Sequence, residues 1–281
     1  MSDLCNPGTA MDRRQVTKLM VMVSGGMALA PFAGATAAGA AEGFKDGAEE
    51  LLAFMKLQSR ADTGYTNYAN VGTVYAAVPG RAPLALYGYE GLLRFYTRVL
   101  GPNHYEVTFI EAGTYLDLAT GNRMDSFKNP LTGVSNAVDH IVEGPMSWQW
   151  TVENLKVKTP FPILQRRVEW QHLAGESWLY FDNILTGEVP GLPAALVTHV
   201  GSTAQLRDRS RNRVDNTVLI DSSINPWAPW LKMGDAPGRL STAVIGRKLG
   251  SLAEAPDRLM KYIAASHPKV LEGIEAWKPA R

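Results

Sequence analysis

The sequence predicts a mainly β fold, with α+β character only at its margins: an antiparallel β-barrel or strongly curved sheet, capped by an N-terminal and a C-terminal helix. Three observations lead there. From residue 65 onward, runs rich in β-branched and aromatic residues recur roughly every 8–15 residues. The links between them are short and carry turn residues, which favours antiparallel neighbours. Only two stretches show a 3.6-residue apolar stripe, and no strand–helix–strand alternation is present.

Residues 1–40 read as an export address and not as part of the fold. Asp12-Arg13-Arg14-Gln15-Val16-Thr17-Lys18 has the form of a twin-arginine signal. A weakly apolar run over 19–32 follows, and the small residues Ala33-Gly34-Ala35-Thr36-Ala37-Ala38-Gly39-Ala40 supply a cleavage site. The run is too short and too rich in Gly and Ala to span a bilayer, which takes about 20 apolar residues. The expectation is export by the twin-arginine machinery to the periplasm or beyond, with no stable membrane anchor after cleavage. Met11 is a second candidate start. Residues 41–281 are then expected to form a single β-rich domain.

Charge and cysteine usage narrow the chemistry. Of 28 basic and 27 acidic residues, three and two lie in the export segment, so the mature chain carries no net charge. Nothing in that balance attracts nucleic acid or an anionic membrane. The basic cluster 207–213 is interleaved with Asp208 and followed by Asp215, as a solvated loop would be. The one cysteine, Cys5, precedes the paired arginines, so the mature chain has no thiol for disulfides, iron–sulfur clusters or nucleophilic catalysis.

The elements follow in order. Residues 44–60 predict the first helix, with Leu51, Leu52 and Met55 on one face and Lys45, Asp46, Glu49 and Glu50 opposite. Strands are expected over 70–78, 84–89, 92–100 and 105–118, the last broken near Ala112-Gly113. Turns at Ala119-Thr120-Gly121-Asn122 and Asn129-Pro130-Leu131-Thr132-Gly133 lead into strands at 123–127 and 137–142. Further strands are expected over 147–158, 166–173, 177–185, 196–206, 217–222 and 240–245. In the stretch 225–238, Trp227 and Trp230 alternate with Pro226, Pro229 and Pro237. Such a run is too rigid for a helix and too poor in N–H donors for a central strand, so it predicts a fixed loop. Gly234 and Gly238 supply free backbone at its turns. A last helix is expected over 256–266, with Leu259, Met260 and Ile263 inward and His267-Pro268 as its stop.

Several of these stretches resemble the DUF1838 family, whose members often carry export signals. The likeness rests on Tyr87-Gly88-Tyr89-Glu90-Gly91, on Tyr115-Leu116-Asp117 with Thr120-Gly121, and on Asn129-Pro130-Leu131-Thr132-Gly133 followed by His140 and Gly144-Pro145. Its most specific part is Pro226-Trp227-Ala228-Pro229-Trp230-Leu231-Lys232-Met233-Gly234-Asp235, followed by Gly246-Arg247-Lys248-Leu249 and His267-Pro268. The resemblance covers roughly 65–271 and implies the architecture. It implies no activity.

The five histidines, His104, His140, His172, His199 and His267, stand at no metal-ligating spacing, so no metal and no cofactor is expected. No G-x-S-x-G elbow, Walker loop or dinucleotide fingerprint is present. General acid–base chemistry in an aromatic-lined cavity is what remains. The candidate catalytic residues are His140, expected on a strand next to Asp139, and His172, which shares a face with Trp170 and would meet Tyr180 or Asp182 across a tight hairpin. The structural alternative is a hydrogen-bonded core or rim histidine for His140 and a cross-strand structural pair for His172. The candidate ligand contacts are Tyr89, Arg123, Trp227, Trp230, Lys232 and Asp235. Here too a structural reading stands beside the functional one, with the Trp loop as a plug on the β core. The expected function is binding, and transformation by a cofactor-free lyase, isomerase or hydrolase step, of a small apolar or aromatic molecule. The alternatives are a lipocalin-like binding protein without chemistry and a Trp-rich module for interaction or homodimerisation.

Overall fold

The computed structural model describes residues 43–155, 163–185 and 194–277; the signal-like segment lies outside them. Helix α1 (Gly47–Gln58) is followed by β1 (Gly64–Ala77), β2 (Leu84–Gly101) and β3 (His104–Leu116). A small hairpin comes next, β4 (Ser126–Lys128) with β5 (Ser135–Ala137), then β6 (Val142–Thr151), β7 (Ile163–Leu173), β8 (Glu176–Leu185) and β9 (Ala194–Ser202). A short helix α2 (Thr203–Arg207) precedes β10 (Val218–Asp221), β11 (Ile224–Asn225) and β12 (Arg239–Leu249). Helices α3 (Asp257–Ser266) and α4 (Ile274–Trp277) complete the described chain.

The main sheet is antiparallel throughout, in the order β6-β3-β2-β1-β12-β10-β9-β8-β7, with β11 pairing β12 and β9. Two meanders are thus joined side by side by the late strand β12. The sheet curls strongly but does not close into a barrel. Its edge strands approach only through side chains: the Trp150 ring of β6 lies 5.7 Å from Phe181 of β8, and the Arg166 guanidinium of β7 lies 5.0 Å from the Trp150 ring. Of the two expected forms, the curved sheet is the one adopted.

Both margin helices are present, and each covers a different face. Helix α1 starts at Asp46, whose side chain accepts from the Glu49 N–H at 2.8 Å. Leu51, Phe54, Met55 and Leu57 are buried on the inner face with Tyr68, Leu93, Phe95, Trp150 and Leu179. Its C-terminal carbonyls meet a buried amine: Lys248 Nζ donates to the carbonyls of Lys56, Leu57 and Ser59, with separations of 3.1, 2.7 and 3.1 Å. Helix α3 packs Leu259 and Ile263 on the outer face against Leu92, Ile110 and Leu249. There Arg94, 4% exposed, donates to the carbonyls of Val270 and Glu272.

Several sequence boundaries are corrected. The pieces at 84–89 and 92–100 are one strand, and β3 runs unbroken through Ala112-Gly113. Glycines there do not end strands, because their missing side chains are replaced by a neighbour's ring, described below. The strand expected at 137–142 is a loop carrying His140, so the strand geometry expected for Asp139 and His140 does not apply. The stretch 196–206 ends as a strand at Ser202, whose hydroxyl accepts from Gln205 N–H at 3.4 Å and starts α2. The strand expected over 147–158 ends at Thr151, and 156–158 lie outside the described residues.

Candidate functional site

Alternation along β2 sends Tyr87, Tyr89, Gly91, Leu93 and Phe95 to the inner face, and pairing sets them beside Tyr115, Gly113, Glu111 and Phe109 of β3. Tyr89 sits opposite Tyr115, and Glu111 sits opposite Leu93, with the Gly91–Gly113 pair between them. The Tyr89 ring lies over that glycine pair. A Cβ on Gly91 would fall 1.8 Å from the Tyr89 hydroxyl, and one on Gly113 would fall 2.6 Å from its ring. Lying there, the hydroxyl donates to Glu111 Oε1.

A second carboxyl is turned inward by a bulge. Phe109 pairs with Met146 and Glu111 with Glu143, so β6 spends three residues where β3 spends two. Gly144 takes up the kink at φ +89, and a Cβ there would lie 2.6 Å from the Phe109 carbonyl. Without the extra residue, Glu143 would face outward. The third carboxyl is Asp221 of β10. It accepts from the Ser223 hydroxyl, and Thr242 Oγ1 lies 3.5 Å from its Oδ2.

Glu111 and Asp221 are four strands apart, about 19 Å along the sheet at the usual strand spacing. The curl brings them across one interior, close enough that the Asp221 charge raises both glutamates. Burial pushes the Glu111 carboxyl up to about 7; the Tyr89 hydrogen bond pulls it down, and the Glu143 and Asp221 charges push it up again. Glu143 is solvent-exposed on the edge strand β6; partial desolvation of its carboxyl raises it, and the Asp221 charge adds to this. Asp221 is raised by burial, against the hydrogen bonds it receives. The inner face around them carries Phe109 and Trp148, with ring centroids 5.8 Å apart. Among the described residues, no three His, Cys, Asp or Glu side chains are arranged to share a metal ion. A separate cleft of about 460 Å³ opens on the outer face, where Arg98 and Glu106 form an ion pair at 2.8 Å.

Of the residues singled out from sequence, Tyr89 belongs to this inner constellation. His140 lies at its border. The His140 Nδ1 is 3.2 Å from the Tyr115 N–H and 3.4 Å from Thr114 Oγ1, and Arg123 Nε donates to its Nε2 at 3.0 Å. With Nε2 accepting from Arg123, the single proton of the neutral ring belongs on Nδ1, beside Thr114 Oγ1, and a second proton at Nε2 would face the guanidinium. Burial lowers its pKa, and the Arg123 charge lowers it further. Arg123 is fixed by His140, by Asp125 at 3.0 Å and by the Tyr262 ring at 4.8 Å.

His172 is not brought to Tyr180 or Asp182. The hairpin is tight, but its register sets His172 opposite Ser177, with Nδ1 and Oγ 2.9 Å apart, and sends Tyr180 and Asp182 to the other face. There Arg167 lies 3.3 Å from Asp182 and 5.0 Å from the Tyr180 ring.

The Trp/Pro stretch is a fixed loop, as its prolines dictate. Pro229–Leu231 forms one 3-10 turn, ended by Lys232 at φ 51. Trp230 lies on Tyr87, Tyr115 and Phe127 at 5.4, 5.8 and 5.9 Å, and Trp227 Nε1 donates to the Ala236 carbonyl at 3.0 Å. The Asn129-Pro130-Leu131-Thr132-Gly133 turn docks on this loop. Asn129 and Asn136 both donate to the Leu231 carbonyl, at 3.2 and 3.4 Å. The two loops together plug one end of the inner face. Lys232 and Asp235 are exposed on the loop's far side.

The segments that form this plug and the Tyr89 floor are the ones that carry the family likeness, and a family model described as protein of unknown function (DUF1838) matches residues 65–279. The chain belongs to the DUF1838 family. No curated protein and no solved structure matches it. In this DUF1838 domain, sequence reasoning missed Glu111, Glu143 and Asp221. The available signals were the glycines at 91 and 113 beside Tyr89, and the Gly144-Pro145 pair that re-aims its neighbour.

Proposed function

We propose that this protein is an acid–base enzyme that binds a small apolar or aromatic molecule on the concave face of its sheet. Glu111 is its proton donor, oriented by Tyr89, and Glu143 and Asp221 tune it. The observation that carries this reading is the Glu111 carboxyl, pushed up to about 7 while hydrogen-bonded to Tyr89 and facing two further carboxyls. A carboxyl near 7 is half protonated at neutral pH, where donor and acceptor capacity are balanced. No cofactor is needed for such a step. The paired Arg13 and Arg14 support export by the twin-arginine route, so the reaction would run outside the cytoplasm.

A carrier without chemistry is the second reading, and the paired rings of Phe109 and the half-buried Trp148 on the inner face favour it. Infrared titration of the mature protein separates the two without a substrate. The expected result is a protonated-carboxyl band that fades around pH 7 and is missing in Glu111→Gln. If every carboxyl is already ionised by pH 6, the proton-donor role is lost and the carrier reading stands.

A further inference from the structure

We infer that the concave site moves protons at the carbon next to a carbonyl group, with Glu111 acting on the carbonyl oxygen and Asp221, on the facing wall, acting on the carbon. This rests on the acid–base reading above and names its substrate class: small aromatic or apolar ketones.

The argument starts from where the two carboxyls stand. Glu111 is on β3 and Asp221 on β10; alternation puts Glu111 on the same inner face as Leu93 and Asp221 on the same inner face as Leu219, and the strong curl of the sheet turns side chains four strands apart on that face toward one another. A molecule lying between two walls meets one group on each side. That is what an enolisation needs, since the oxygen that gains charge and the carbon that loses its proton lie on different edges of the substrate.

Their surroundings differ in kind. Glu111 has one donor, the Tyr89 hydroxyl on Oε1, and its other oxygen is left to carry the proton. Burial raises Asp221, and against it the Ser223 hydroxyl donates to the carboxylate and Thr242 Oγ1 lies beside its second oxygen, contacts that favour the ionised form. One wall thus offers a hydrogen-bond donor and the other a base.

An independent observation lies on the floor between them. Asn70 of β1 is 4% exposed, and its Oδ1 has no hydrogen-bond partner. It points inward over Gly246: a Cβ on that glycine would lie 2.1 Å from Oδ1. Asn70 falls in the same cross-strand row as Gly91 and Gly113, the two glycines that the Tyr89 ring covers. A buried acceptor left unpaired calls for a donor from outside the chain. A hydroxyl on the substrate next to its carbonyl would supply one.

The step balances within the site. Asp221 takes the proton as the α C–H bond breaks. That electron pair forms the carbon–carbon double bond, the carbonyl π pair moves to oxygen, and the oxygen takes the Glu111 proton. The products are the enol, a protonated Asp221 and an ionised Glu111. Return of the protons, to the same carbon or to a conjugated one, restores both side chains. No oxidant, reductant or metal takes part.

The test follows hydrogen–deuterium exchange of 2-hydroxyacetophenone and of acetophenone in D2O by proton NMR, with the mature protein at pD near 7. The expected result is exchange next to the carbonyl at least 100-fold above a heat-denatured control, and faster for the hydroxyketone. Glu111→Gln and Asp221→Asn, both isosteric, should each return exchange to within a few-fold of that control. Asn70→Ala should lower exchange of the hydroxyketone by a larger factor than exchange of acetophenone, so that the ratio between the two falls toward that of the uncatalysed reactions. Wild-type protein exchanging neither ketone above control overturns the inference, whatever the variants do. If Glu111 nevertheless titrates near 7 in that sample, the acid–base reading survives and only the carbonyl chemistry fails. Without that titration both fall.

Discussion

Tyr89 and Glu111 are joined by a hydrogen bond across the two glycines that lie between them in the sheet, Gly91 and Gly113. The bond depends on those glycines having no side chain. A Cβ at Gly113 would lie 2.6 Å from the Tyr89 ring and 3.0 Å from the Glu90 carbonyl, which is backbone and cannot move aside cheaply. Gly113→Ala should therefore lift the ring off its platform and cost about 1–3 kcal/mol of stability, the usual range for overpacking. Tyr89→Phe is the milder probe. It removes a donor that favours the carboxylate, so the Glu111 pKa should rise above about 7. A carboxyl titration that stays put or moves down in Tyr89→Phe would show that the hydroxyl does not act on Glu111.

The same carboxyl makes stability depend on pH in a defined direction. Its folded pKa, about 7, lies above the ordinary value of 4.5. The folded state therefore holds a proton that the unfolded chain releases. This contribution is fully present below about 4.5 and is lost as pH rises through 7. Glu111→Gln keeps the shape and the acceptor for Tyr89 but carries no charge. At pH 8 it should be more stable than wild type by about 2 kcal/mol, an amount reduced from the full shift because the side chain is partly exposed. Near pH 4.5 the two should unfold alike. Chemical denaturation at both pH values checks this, and a variant less stable at pH 8 would contradict the raised carboxyl.

How much of this was legible follows from what each feature depends on. The helices at 47–58 and 257–266 and most strands could be read because apolar periodicity is local. The Trp/Pro loop could be read because proline fixes φ and removes a donor wherever it stands. Tyr89 was singled out, yet its partner Glu111 was not, since that pairing needs the β2–β3 register and two glycines acting together. Glu143 turns inward only through a bulge, and one extra residue reverses every side chain before it. Asp221 joins them only because the sheet curls, which no local pattern encodes. His172 was assigned the correct hairpin but not its register, and register decides the face.

The plug at the Trp loop should prove a structural unit. Asn129 and Asn136, both buried, converge on the single carbonyl of Leu231, and Asn129 Nδ2 also lies 3.2 Å from Met233 Sδ. Asn129→Ala leaves that buried carbonyl with the longer bond alone, at an expected cost of about 1–2 kcal/mol. Trp230→Ala removes a half-buried ring from three aromatic neighbours and should cost about 3 kcal/mol. The two sites meet through Leu231, so the double variant should lose less than the sum of the single losses. Simple additivity in the denaturation midpoints would mean that the turn and the loop are not coupled.

His140 tests where the proton chemistry resides. Its ring faces the Tyr115 N–H on one side and the Arg123 guanidinium on the other, and it packs against Tyr115 and Tyr262 at 6.1 and 5.5 Å. The Arg123 contact favours the neutral ring, and the Arg123 group also covers Tyr262 of helix α3. The His140 pKa is held below 6.5 by burial and by that charge. The folded state thus binds fewer protons here than the unfolded chain. The stabilisation is present above about 6.5 and is lost as pH falls through the folded value. His140→Gln cannot take up a proton, so its stability should fall less between pH 7 and pH 5 than that of wild type. Burial also lowers His172 and His267, so part of the wild-type slope should persist in the variant. Paired with Glu111→Gln, the variant assigns the chemistry. The geometry predicts that ketone exchange is lost with the Glu111 carboxyl and survives loss of the His140 imidazole. Exchange abolished in His140→Gln and intact in Glu111→Gln would return the proton-transfer role to the histidine.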